Sequence, residues 1–421
     1  MDLSTGIAVS GTAPPALDPA RFAIGGATPA RVLRPASREE LAEALRRAAR
    51  EGWRVVPWGG GVALPREAAP ESYDVALDLG ALDRVVEYDP EDFTLTAECG
   101  VPLATLAATL AARGQELPLE GAHAARATLG GVLAANASGP RRYRFGAPRD
   151  RILGARFALA DGTIVRTGGR VVKNVAGYGI HRLLVGSRGG LAILVEASLK
   201  LAPAPEARRA LIYSMGAGEI VEAARWSAFR RLEPAFVTVV GAEAARGAGL
   251  AAADAAFVVA VGLEDDRAWV ERQSEVTLGA LGTPPAWLAG AEVVKLASTL
   301  ADLEERAAVR LSFTTARNDP AALAPLIAPG APPVLDALAG GIVFHAPAGR
   351  LHVFPRAEDA ASVVATLAAH GFGLIDARGT GAIEPPLAPL VAVAELRSRI
   401  RAALDPAQTL ALGARWERGA C

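Results

Sequence analysis

Two cysteines, Cys99 and Cys421, are all that the 421 residues contain. So few thiols exclude a disulfide framework, and they exclude an iron–sulfur cluster held by four thiolates. Any electrons this chain handles therefore travel on another cofactor. Lysine is almost as scarce: Lys173, Lys200 and Lys295 stand against 41 arginines. Arginine on that scale, in an alanine-rich chain, reads as the codon usage of a GC-rich genome, so an arginine alone carries little functional meaning. There is no excess of either charge, the net being -1. A protein that works by neutralising phosphates along nucleic acid normally carries a basic surplus, so no nucleic-acid partner is expected. No apolar run approaches the roughly 18 residues of a membrane span. The first twenty residues lack a basic start and a sustained apolar core, so no secretory signal is expected and the cytoplasm is the expected compartment.

What is present is the composition of a folded chain, with 51% hydrophobic and 21% charged residues. At about 100–200 residues per domain, the length accommodates two or three domains. Residues 1–30 are rich in Ala, Pro and Gly and are expected to be loosely ordered. A helix follows, opened by a capping box of Ser37 and Glu40, striped by Leu41, Leu45 and Ala48, and stopped by Gly52. Strands are expected at 53–56, 75–79, 84–88 and 93–98, and a second helix runs from Pro102 to Gly114. Asp161-Gly162 joins two strand-like runs as a hairpin signal, and 191–201 is a further strand. Pro203 and Pro205 mark the clearest boundary. Beyond it, helical runs alternate with strands near 236–240, 257–261, 309–313 and 341–344, and 396–404 is helical.

Three glycine clusters stand out. Pro57-Trp58-Gly59-Gly60-Gly61 follows a strand directly, where glycines let backbone N–H groups approach an anion closely. It is neither a Walker A loop nor a Rossmann fingerprint, because the required lysine and glycine spacings are missing. Thr128-Leu-Gly-Gly131 adds a hydroxyl and bare amides at an expected helix start, and Val185-Gly-Ser-Arg-Gly-Gly190 precedes a strand. Three loops meeting on one ligand would suit a large dinucleotide; the alternative is three tight turns, and sequence does not show convergence.

The order of these segments resembles the FAD-binding domain of the vanillyl-alcohol-oxidase/PCMH superfamily, and more narrowly the FAD-binding subunits of glycolate oxidases. The resemblance is carried by Pro57–Gly61, Leu117-Pro-Leu-Glu120 and Thr128–Arg142. It continues through Phe145-Gly146, Arg149-Asp150 and Gly168-Gly-Arg-Val-Val-Lys-Asn-Val-Ala-Gly-Tyr178, and ends with Leu184–Ser187 and Leu199–Leu201. It is dense from about residue 34 to 205 and thins afterwards. It implies an α+β fold: a PCMH-type two-subdomain FAD-binding module over 31–205, a smaller α+β cap over 206–395, and a C-terminal helix and tail, 396–421, returning to the FAD module. It implies FAD held by Pro57, Gly59, Gly60, Gly61 and Val62 in the first loop. Thr128, Gly130, Gly131, Ala135, Asn136, Ser138 and Gly139 would pass the pyrophosphate and flavin edge, with Gly190 and Ile193 beyond. The first loop offers only Trp58 and Val62 where some relatives tether the flavin through His or Cys, so the FAD is expected to be non-covalent. Lys173 is equally readable as a ligand contact or a structural ion pair.

Of the five histidines, His345 and His352 match the His-x6-His spacing that relatives use for a metal, but the family's Asp-Gly-Asn is Pro-Ala-Gly-Arg here. Its later Glu-His-Gly is replaced by Arg378-Gly-Thr-Gly381. No bound metal is therefore expected, and His345 and His352 remain as catalytic candidates. Arg310, in Val309-Arg-Leu-Ser-Phe313, resembles the arginine aimed at a substrate carboxylate, whose two oxygens a guanidinium fork pairs. The resemblance implies oxidation of a small 2-hydroxy acid, glycolate or D-lactate, to the 2-oxo acid, with electrons passed to a second FAD subunit and an iron–sulfur subunit that could also bring the chain to a membrane. Poor activity of the chain alone is expected. A stand-alone dehydrogenase for another hydroxy acid or alcohol and a flavin-bearing scaffold are the other readings.

Overall fold

A computed structural model describes residues 17–64, 70, 72–121, 123, 125–170, 178–222, 226, 232–250, 256–307, 309–316, 318–328, 341–378 and 391–413. Lys173, most of the 168–178 motif, 379–381, Cys421 and the tail beyond 413 lie outside the described residues.

The first half of the chain builds two small sheets and one two-stranded pair. Strands β1 (Arg31–Leu33), β2 (Val55–Trp58) and β3 (Val75–Asp78) form a parallel sheet in the order β1-β3-β2. The helix Arg38–Arg50 packs on it, its Ser37 hydroxyl accepting from Glu40 N and its Leu41 and Leu45 buried, as the capping box and stripe predict. Strands β4 (Val85–Asp89) and β5 (Thr94–Glu98), then β7 (Ile152–Ala158), β8 (Ile164–Gly168) and β9 (Ile193–Lys200), form an antiparallel sheet ordered β4-β5-β9-β7-β8. The Asp161-Gly162 signal falls in the turn of the β7–β8 hairpin. The short β6 (Gln115–Glu116) pairs with β10 (Ala202–Pro203).

The second half forms one antiparallel sheet from β11 (Ala207–Met215), β12 (Phe236–Gly241), β13 (Phe257–Asp265), β14 (Ala286–Ala289), β15 (Arg310–Thr314), β16 (Ile342–His345), β17 (Arg350–Val353) and β18 (Gly373–Arg378). Its order is β14-β11-β13-β12-β16-β17-β15-β18. Strand alternation sorts its side chains. Leu311, Phe313, Phe344, Leu351 and Val353 enter one core on one face. The intervening residues Arg310, Ser312, Val343, His345, Arg350 and His352 take the other face. There the helix Ala291–Arg306 covers an apolar patch that includes Val343.

Part of the first thirty residues departs from the sequence expectation. Pro19–Phe22 is a 3-10 turn capped by Asp18, and Phe22 and Ile24 are buried against Val56, Tyr73, Ala76, Ala411 and Leu412. Two apolar side chains finding a ready core are enough to order a Pro- and Gly-rich segment. At the other end of the chain, Leu410 bridges in parallel to Val55, so residues following the helix Val391–Leu404 extend the β1-β3-β2 sheet.

Candidate functional site

The three glycine clusters converge. A cavity of about 430 Å³, within the usual range for ligand sites, is walled by 57–64, by 127–138 without Leu129 and Leu133, and by 185–189. Loop ties hold this arrangement: Arg188 N donates to Ala134 O at 2.8 Å, Gly186 N to Leu133 O at 3.1 Å, and Arg188 Nη1 to Ala63 O at 2.6 Å.

Small residues are required where the loops meet. A Cβ on Gly60 would collide with the Arg126 carbonyl, and one on Gly130 would come within 2.8 Å of the Cys99 backbone oxygen. Thr128 caps the helix Leu129–Ala135 by accepting from Gly131 N at 3.2 Å. That helix ends at Asn136, in the left-handed region at φ 48°, and Asn136 lines the cavity. The Asn136 Oδ1 is buried without a hydrogen-bond partner among the described residues. A cradle closed to side chains, a buried orphaned amide oxygen and a guanidinium at the loop junction all fit a dinucleotide.

The opposite wall belongs to the eight-stranded sheet. Arg310, Ser312, Arg350, His352 and Ile375 line the cavity, joined by Arg397 from the helix Val391–Leu404 and by Arg149. His352 is buried, and its Nδ1 lies 2.9 Å from the Ser312 hydroxyl across the β15–β17 pair. His345 is buried too, 2.9 Å from the Thr238 hydroxyl through its own Nδ1. The two imidazoles meet edge to face with centroids 5.8 Å apart.

Each candidate from sequence can now be located. Pro57, Gly59, Gly60, Gly61, Val62, Thr128, Gly130, Gly131, Ala135, Asn136, Ser138, Ile193, Arg310 and His352 all line the one cavity. Gly139, Gly190 and His345 are not among its lining residues. Gly139 packs against the Glu120 side chain, and Gly190 abuts the Leu412 carbonyl, where a Cβ would come within 2.8 Å. His345 sits behind His352 on the same sheet face. Among the described residues no three His, Cys, Asp or Glu side chains are grouped to hold a metal ion.

Sequence reasoning passed over Cys99, Glu120, Arg149, Arg188, Ser312, Arg350 and Arg397, all on the cavity wall. The Glu120 Oε2 accepts the Arg141 amide at 3.0 Å. The arginines were hidden by their own abundance. Burial, with Glu196 and Glu98 nearby, pushes the Cys99 thiol far up, so it stays protonated and is a poor nucleophile.

Residues 29–168 match the family described as FAD binding domain. Over 165 residues the chain is 41% identical to the glycolate oxidase subunit GlcE of Escherichia coli, a match covering 39% of this chain and 46% of that protein. It is 33% identical over 184 residues to the glycolate oxidase subunit GlcD of Bacillus subtilis, covering 44% and 39% of the two chains. A D-2-hydroxyglutarate dehydrogenase of Xanthomonas citri is 29% identical over 193 residues, 46% of this chain and 41% of that one. The matched part thus spans less than half the length of these relatives. Among solved structures, an alkyldihydroxyacetonephosphate synthase superposes with a TM-score of 0.68 over 91% of this chain and 76% of its own, at 16% identity. That last likeness concerns the fold. No helix among the described residues is long and apolar enough to cross a membrane.

Proposed function

Given that the chain carries a FAD-binding domain and takes FAD as its cofactor, we propose that it is a FAD-dependent oxidoreductase subunit that oxidises a small 2-hydroxy acid to the 2-oxo acid, within a glycolate oxidase-like assembly. The observation that carries this reading is the single cavity shared by the three glycine loops and the Arg310–Ser312–His352 wall. The glycine loops Gly59–Val62 and Thr128–Ser138 would hold the FAD, which supplies a two-electron acceptor when bound. The absence of a reactive thiolate at Cys99 supports a non-covalent FAD.

Arg310 holds the substrate carboxylate through its fork of donors. His352, whose Nδ1 lies 2.9 Å from the Ser312 hydroxyl, serves as the base for the proton of the 2-hydroxyl. The C2 hydrogen leaves with its electron pair as that O–H bond breaks, so the product is the 2-oxo acid. Ser312 acts only through His352 and is a positioning residue. His345, held by Thr238 behind His352, fixes the imidazole from the rear.

Because two cysteines build no cluster, the electrons are proposed to leave through a second FAD subunit and an iron–sulfur subunit. Loss of general-base help alone costs about 10²–10⁴-fold, roughly 3–5 kcal/mol of barrier. The test is glycolate oxidation with a dye acceptor, by the FAD-loaded chain alone and when co-expressed with those partners. Weak turnover by the chain alone, strong turnover in the assembly, and loss in the assembly on His352→Ala are expected. An assembly indifferent to His352→Ala and Arg310→Gln alike would make this chain a flavin-bearing scaffold.

A further inference from the structure

One contact outside the cavity wall joins the eight-stranded sheet to the glycine loops. The helix Ala291–Arg306 packs on that sheet through Val293, Leu296, Ala297 and Leu300. Near its end Ala301 lines the cavity. The next residue, Asp302, crosses to the other half of the chain, where its Oδ1 accepts the His123 amide at 2.5 Å.

His123 stands in the left-handed region at φ 54°, a conformation that a residue with a Cβ keeps only where its surroundings fix it. Its carbonyl accepts from Arg126 N at 2.7 Å and from Ala127 N at 3.1 Å, and these bonds fix where Arg126 sits. Arg126 in turn brackets Gly60. Its Nη2 donates to the Gly60 carbonyl at 2.9 Å, while its own carbonyl fills the space that a Gly60 Cβ would need. Ala127 is buried on the cavity wall beside Thr128, and its carbonyl accepts from Leu103 N at 2.9 Å.

A run of hydrogen bonds thus leads from Asp302 through His123 and Arg126 to the first glycine loop. The helix that carries Asp302 covers the sheet face from which Arg310 and His352 reach the cavity. What ties Asp302 to Gly60 therefore also sets the gap between the FAD loops and that wall.

We propose that Asp302 is a positioning residue for FAD: acting through His123 and Arg126, it holds the first glycine loop in its binding geometry from the other half of the chain. FAD binding and the docking of the helix Ala291–Arg306 then favour each other, since coupling between two sites acts equally in both directions.

The experiment follows the full chain, stripped of FAD and reloaded, by two readouts. FAD affinity is read from the change in flavin fluorescence on binding, and amide hydrogen exchange is read along 291–306 with and without FAD. The helix Arg267–Leu281, whose Val270 and Leu281 enter the core on the opposite face of the sheet, is the internal control. FAD is expected to slow exchange in 291–306 and not in 267–281. Asp302→Ala should weaken FAD binding by about 5-fold or more, the lower end of coupling between sites, and abolish that protection. Asp302→Asn keeps an acceptor for the His123 amide and should restore both. Arg126→Ala, at an exposed position, cuts the other end of the run and keeps the test sound should Asp302→Ala fail to fold. Val293→Ala removes buried methyls from the same helix; it should lower Tm yet leave FAD affinity within about 2-fold, as expected of sites that share no partner.

FAD-dependent protection confined to the glycine loops, an affinity indifferent to both Asp302→Ala and Arg126→Ala, or an equal loss in Val293→Ala overturns this role and leaves the FAD cradle standing. A chain that takes up no FAD overturns the cradle and the role with it.

Discussion

Arg141 Nη2 lies 2.7 Å from Glu264 Oε2, and the Glu264 carboxylate is 1% exposed. The arginine belongs to the segment following the second glycine cluster, and the glutamate to β13 of the eight-stranded sheet. The same nitrogen is 2.6 Å from Glu116 on β6, and Glu116 is in turn 2.5 Å from Arg208 on β11. Arg144 pairs with Asp265 one residue further along β13. The two halves of the cavity are thus joined by a buried network of alternating charge.

Removing one member of such a network leaves an uncompensated buried charge. Arg141→Met is expected to destabilise the protein by about 3–5 kcal/mol in urea unfolding. Adding Glu264→Leu should recover part of that loss, so the double variant is less destabilised than the sum of the singles, by more than about 0.5 kcal/mol. Strict additivity would mean the pair does not couple.

Acid should weaken the fold in a defined window. Burial alone would raise the Glu98 carboxyl, but hydrogen bonds from the Arg84 side chain and amide hold it below the ordinary carboxylate value. Burial would likewise raise Asp265, and the Arg144 hydrogen bond again prevails. A depressed carboxylate contributes stability that is fully present above its unfolded value, about 4, and is lost as pH falls through the lower folded value. Stability measured from pH 6 to 2 should therefore fall below about pH 4, and less steeply in Glu98→Gln and Asp265→Asn.

Thr238→Val removes the hydroxyl that partners buried His345 while keeping the side-chain shape. A buried imidazole nitrogen left without its partner costs about 1–3 kcal/mol. Calorimetry should show that loss with little change in FAD content, because His345 does not line the cavity.

Gly279 sits on the exposed side of the helix Arg267–Leu281, with open space where a Cβ would go. Gly279→Ala should stabilise the protein by about 0.4–1 kcal/mol, read as a raised urea midpoint at unchanged slope.

Much of the first half was legible because its signals are local. The Ser37–Glu40 box, the Asp161-Gly162 turn and the β-branched run into Pro57 each act within a few residues. The glycine clusters were legible as loops, and the ordered motifs as a likeness, but their meeting in one cavity rests on long-range ties such as Arg188 to Ala63. In the second half, β12, β13, β15 and β16 announced themselves as apolar runs. On the polar face of that sheet Arg310, His345 and His352 were legible through the family likeness, but Ser312 and Arg350 were not, since they join those residues through a register that no spacing encodes. Arg350 is also camouflaged by the arginine-rich composition. The order in 17–30 escaped notice because Phe22 and Ile24 are stabilised by residues some 400 positions away, Ala411 and Leu412.

The three glycine loops are proposed to form one FAD cradle, and the absorption spectrum of the purified protein reads its occupancy. The protein should be yellow and release FAD on acid or heat denaturation. Gly60→Asp, which sets both bulk and negative charge against a carbonyl-lined turn, should abolish the flavin bands while far-UV circular dichroism stays near wild type. A colourless wild-type protein that takes up no added FAD, or a Gly60→Asp variant that holds FAD as tightly as wild type, would contradict it.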